Sequence, residues 1–200
     1  MIVLVHGLGV GQRYFDRLAD ELGGEQLLRP TLGQPATIPA LAAELESLLS
    51  RPAVLVAQSM GCQVATELAV RRPDLVARLV LIGPTVDPRF RSLGRQALRL
   101  VLDGWYEPPW ITRIALRDYL RHGSLAQARY ALADRIEQRL PRLQLPAVVV
   151  RGARDPLCPP EWARQAAELL PRGRLVTIAG AAHAAHASHP REVAALVTGG

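Results

Sequence analysis

The chain has 200 residues, enough for one domain with a substantial core, and no apolar run in it reaches the length of a membrane span. Its formal charge is +6, and lysine is absent, but the arginines are dispersed with few aromatics among them and no basic run, which argues against a nucleic-acid surface. Two cysteines, Cys62 and Cys158, are too few for a disulfide framework or a zinc site. The opening MIVLVHG lacks the features of a secretion signal, so a reducing cytoplasm is the expected location.

Short apolar runs alternate with helical patterns, which predicts a parallel sheet covered by helices. IVLV (2–5) reads as a strand, QRYFDRLADEL (12–22) as an amphipathic helix and EQLLRP (25–30) as a short strand. IPALAAELESLL (38–49) puts Leu41, Leu45, Leu48 and Leu49 on one helical face. AVLVA (53–57) is apolar enough for a strand buried on both faces. A helix follows over 61–72 and stops before Pro73; RLVLIG (78–83) is the next strand.

The rhythm breaks over 84–145, which holds helical patterns near 91–102, 111–121 and 125–140 and no convincing strand. In the third, Leu125, Ala128, Leu132, Ile136 and Leu140 recur at helical spacing. Alternation resumes with AVVVRG (147–152), a helix at 161–170, RLVTIAG (174–180) and a last helix at 191–197. The expectation is an α/β core over 1–83 and 146–200, a three-layer α/β/α sandwich around a mainly parallel six-stranded sheet, with a helical cap inserted over 84–145. Numbered along the chain, all six strands are expected parallel, in the spatial order 2-1-3-4-5-6.

AQSMG (57–61) turns from strand to helix and raises Ser59 at the C-terminal edge of the sheet, where α/β folds place their ligands. Small residues two before and two after the serine let strand and helix approach; alanine stands at the first of these, Ala57, where glycine is usual. By itself the pattern also fits a serine capping a helix. Three other stretches end strands on the same edge. VHGLG (5–9) can aim backbone N–H groups into a cavity, RGARDPLCP (151–159) carries Asp155, and GAAHAAHASHP (180–190) carries His183.

These four pieces, in this order, resemble the α/β-hydrolase family, over about 1–85 and 145–200. The resemblance implies Ser59 as nucleophile, His183 as general base and then acid, Asp155 as its orienter, and an oxyanion hole from the backbone N–H groups of Leu8 and Met60. The family's histidine loop falls here on Gly180, His183, His186, Ser188 and Pro190, with serine where an acidic residue is usual. It selects His183 over His186 and leaves His189 before the last helix. The family's full fold has two strands ahead of the one ending in His-Gly. Here that strand begins at Ile2, which reads as a minimal version or a fragment.

Other residues have plainer readings beside the sharp ones. His6 is expected to pack beneath the oxyanion loop, and Cys62 and Cys158 to be packed thiols. Asp87 and Asp103 are alternative orienters. Trp105, Tyr106 and Trp110 either line an apolar pocket or pack between cap and core. Arg91, Arg95 and Arg99, and Arg113, Arg117 and Arg121, read as solvated helix faces, or as a cap that attracts acidic substrates.

The sequence therefore points to a serine hydrolase cleaving a carboxylic ester through an acyl-enzyme, with no metal or organic cofactor. The substrate expected is a small molecule with an apolar acyl or alcohol part. Alternatives are a carbon–carbon bond hydrolase acting on a diketone-type acid, and a non-catalytic binder of the same fold. Serine at position 59 argues against dehalogenase or epoxide hydrolase chemistry, whose relatives use aspartate there.

Overall fold

Strand β1 (Ile2–Val5) sends Ile2 and Leu4 to one face of the sheet and Val3 and Val5 to the other, and all four are buried. This double burial recurs in β3 (Ala53–Gln58), β4 (Val76–Ile82) and β5 (Ala147–Gly152), which explains their near-continuous apolar runs. With the two-residue β2 (Leu27–Leu28) and β6 (Gly173–Ile178) they form one six-stranded sheet in the order β2-β1-β3-β4-β5-β6, every pairing parallel. The computed structural model describes residues 1–33 and 35–199.

Helices cover both faces. On one lie α1 (Asp16–Glu21), the short α9 (Ala185–Ser188) and α10 (Pro190–Thr198), whose Leu18, Ala185, Val193 and Val197 pack with Leu4, Val56, Val80 and Val148. On the other lie α2 (Ile38–Ser47), α3 (Met60–Arg71) and α8 (Pro160–Leu169), whose Leu41, Leu68 and Trp162 pack with Val5, Leu55 and Leu79. The three-layer core expected from the sequence is therefore present. The strand order reverses between β1 and β3, and a reversal of this kind opens a crevice at the C-terminal ends of the two strands.

Between β4 and β5 the chain is helical: α4 (Leu93–Tyr106), α5 (Pro109–His122), α6 (Leu125–Ala133) and α7 (Ile136–Arg139). The third helical pattern, expected to run unbroken over 125–140, is split here at Asp134 and Arg135. Arg91 donates to the carbonyls of Leu132 (3.1 Å) and Asp134, and Arg139 forks onto the Asp134 carboxylate at 2.8 and 2.5 Å. These bonds satisfy the chain where α6 stops, while Ile136 and Leu140 stay buried across the break. Arg91 is thus no solvated residue; its guanidinium also pairs with Glu137 at 2.5 Å. No helix among the described residues is long and apolar enough to cross a membrane.

Trp162 is fully buried under the sheet, and its indole N–H donates to the Pro84 carbonyl at 2.8 Å. It ties α8 to the loop through which the chain leaves β4 for the helical segment. Trp162→Ala should lower the unfolding free energy by about 3–5 kcal/mol, read from urea titration, because it leaves a large cavity and an unpaired carbonyl.

Candidate active site

Ser59 sits on the corner between β3 and α3 with φ 55° and ψ −122°, a conformation that strains any residue but glycine. The surrounding bonds fix it. Its N–H donates to the Ile82 carbonyl at 2.9 Å, its carbonyl accepts from Cys62 N–H at 3.0 Å, and the Cys62 thiol donates to the Ala57 carbonyl at 3.2 Å. Ala57 is buried between Val5 and Leu81 of the neighbouring strands. The tighter demand falls on Gly61, where a Cβ would stand 2.4 Å from the Val5 carbonyl oxygen. Alanine is accommodated at the first small position, and glycine is needed at the second.

Asp155 follows β5 and is buried. Its Oδ1 accepts the N–H groups of Leu157 (2.8 Å) and Cys158 (3.0 Å), and its Oδ2 faces His183 Nδ1 at 2.9 Å. Burial favours the protonated carboxyl, but the His183 ring and these hydrogen bonds outweigh it, and Asp155 lies below the ordinary carboxylate value. His183 follows β6. Burial alone would lower its pKa, yet the Asp155 carboxylate and, behind it, Asp103 and Glu107 raise it to about 9. Gly83, at the end of β4, lies beneath the pair: a Cβ there would be 2.8 Å from the imidazole ring.

Ser59 is not joined to this pair by a hydrogen bond. Its Oγ lies 3.5 Å from Thr85 Oγ1, and among the described residues no bond links it to His183. In substrate-free proteins such bonds are commonly long and tighten when substrate binds. The N–H groups of Leu8, beyond β1, and of Met60, at the start of α3, donate to no other group among the described residues. They follow β1 and β3, the two strands between which the strand order reverses.

The other candidates are placed apart from this chemistry. His186 is fully buried between Tyr14 and Phe15, with ring centroids 5.0 and 4.4 Å away, and burial with the nearby His183 pushes its pKa down to about 3. His189 bonds Ser188, and His6 bonds the Gly7 carbonyl. Asp87 caps the turn after β4 and pairs with Arg89. Both cysteines are buried, with thiols pushed up by burial. Trp105 is 83% exposed, and Trp110 is half-buried with Arg17 stacked 3.9 Å above it. Sequence reasoning missed Thr85, which faces Ser59, and Glu107, which reaches the histidine loop from the helical segment; neither carries a local signal.

Comparison with known proteins places the fold among known families. The model of the alpha/beta hydrolase family matches residues 2–196. A protein of Aromatoleum aromaticum named pimeloyl-[acyl-carrier protein] methyl ester esterase is 29% identical, with 98% of this chain and 96% of that protein covered. A protein of Chromobacterium violaceum with the same name is also 29% identical, over 96% of this chain and 90% of its own length. A thermophilic esterase structure from Thermogutta terrifontis superposes with a TM-score of 0.79 at 24% identity, covering 98% of this chain and 87% of that one.

Two outcomes follow from the geometry at Ser59 and His183. Glycine relieves the Ser59 backbone strain, so Ser59→Gly should raise the unfolding free energy by about 1 kcal/mol in urea titration, net of glycine's entropy. His183 binds its proton more tightly folded, at about 9, than unfolded, near 6.5. Its contribution to stability is therefore full below about pH 6.5 and is lost as pH rises through about 9. The melting temperature should fall across that window, less steeply in His183→Gln, by scanning calorimetry.

Proposed function

The chain belongs to the α/β-hydrolase family, and from that membership we propose that it is a serine esterase acting on a small carboxylic ester. The observation that carries the reading is the 2.9 Å contact between Asp155 and His183 Nδ1, which leaves Nε2 as the free ring nitrogen, on the edge where the strained Ser59 corner stands. In this reading Ser59 Oγ attacks the ester carbonyl carbon as its proton passes to His183 Nε2. The N–H groups of Leu8 and Met60 hold the oxyanion. Collapse expels the alcohol, which takes the proton from His183. Water then gives a proton to His183 Nε2 and attacks the acyl-enzyme, and collapse releases the acid as His183 returns that proton to Ser59 Oγ.

The helical segment over 84–145 is read as a cap that meets the substrate first. It exposes Leu98, Val101, Trp105, Leu116 and Leu120 beside Arg95, Arg113, Arg117 and Arg121, a mixed surface suited to an apolar chain bearing a negative group. The names of the relatives support an acyl chain ending in a methyl ester and held on a carrier protein as the substrate type to try first.

A fluorophosphonate probe should label Ser59 in the wild type, and a panel of nitrophenyl and methyl esters should show turnover; a folded protein with neither is a binder and not an esterase. Ser59→Ala and His183→Ala should each lower kcat on the order of 10⁶-fold, the double variant should be little worse, and Asp155→Ala should cost less, about 10⁴-fold. Because the base must be neutral to accept a proton, kcat/KM should rise with pH up to about 9 and level beyond it.

A further inference from the structure

Helix α4 is anchored to the core by charge. Of its fourteen residues only Asp103 is buried, and Glu107, just past its end, is buried too. Asp103 Oδ1 accepts the backbone N–H of His183 at 3.1 Å, and Glu107 Oε1 accepts the backbone N–H of Ala184 at 2.5 Å. Glu107 Oε2 is buried with no hydrogen-bond partner among the described residues. No arginine forms an ion pair with either carboxylate among those residues. The groups that act on them are the His183 ring and Asp155 from the core, each other, and Tyr14 from the turn before α1; Arg113 of α5 lines the cavity that Glu107 also borders.

A neutral amide would accept the same N–H bonds without burying a charge. What two carboxylates add is negative potential beside a ring that becomes positively charged during base catalysis, while their bonds hold the backbone of the loop that carries the ring. Burial raises Asp103 to about 6 and Glu107 to about 7, which marks how strongly the fold resists their charge.

We propose that Asp103 and Glu107 are positioning residues for His183: they hold its loop by the N–H groups of residues 183 and 184 and stabilise the imidazolium that the reaction forms. The inference rests on reading His183 as the general base. It also makes the helical segment part of the machinery, since the hold on the base is lost if α4 lifts away.

The test separates charge from support. In the full chain, the His183 imidazole is titrated by nitrogen-edited NMR, with its signal assigned by its loss in His183→Gln. Asp103→Asn and Glu107→Gln keep an acceptor for each N–H and should each move the His183 midpoint to about one pH unit more acidic. With a nitrophenyl ester, Asp103→Ala and Glu107→Ala should lower kcat about tenfold with KM within twofold, and the amide variants should recover only the part of that loss that support of the loop supplies. Unchanged His183 midpoints in amide variants that melt normally would overturn the proposal, and so would alanine variants with full kcat. The NMR readout needs no turnover: a chain that fails to label with fluorophosphonate but shows the moved midpoints sinks the esterase reading and keeps the positioning one.

Discussion

The first turn of α3 runs so close to β1 that the Val5 and His6 carbonyl oxygens would stand 2.4 and 2.8 Å from any Cβ on Gly61. That approach sets the rest of the site. It forces the chain to turn sharply at Ser59, which accepts a positive φ. The turn is held by bonds from β4 and from Cys62. The Cys62 thiol, expected from the sequence to be a packed group, acts here also as a hydrogen-bond donor that keeps the corner closed.

The helical segment adds directional bonds to the apolar packing that joins it to the core. The sheet buries apolar side chains on both faces, and burial of this kind is non-directional. The segment over 84–145 buries Asp103, Glu107, Asp118 and Gln127, and each accepts a backbone N–H from a core loop: His183, Ala184, Gly11 at 3.0 Å and Ala36 at 2.7 Å. Hydrogen bonds are directional, and those to charged groups contribute about 1.5–3 kcal/mol each. Besides the apolar packing of Ile111, Ile136 and Leu140 against the core, these bonds fix the segment in place at a few points, two of them on the loop that carries His183 and one on the loop that begins at the end of β1.

Strand positions and order were readable because doubly buried parallel strands show as apolar runs and because alternation with helices leaves few topologies. The placement of Ser59, Asp155 and His183 on one edge of the sheet was readable for a related reason: each stands just past one of those runs. The break between α6 and α7 was not, since Ile136 and Leu140 keep the helical period across it and the cause lies in Arg91, more than forty residues away in the bond to Asp134. Asp103 was weighed as a partner for the histidine side chain, but the structure gives it the histidine's backbone. Glu107 and Thr85 escaped notice because their roles arise from contacts across the fold.

The three tryptophans divide between these two parts of the molecule. Trp162 is sealed beneath the sheet with its indole bonded to a carbonyl, Trp105 stands in solvent on α4, and Trp110 lies between, under the Arg17 guanidinium. The protein thus carries its own set of optical reporters, one for the core and two for the helical segment. Emission from the sealed indole is shielded from a quencher dissolved in the buffer, while the exposed one is open to it, so movement of α4 can be followed by light without attaching a dye.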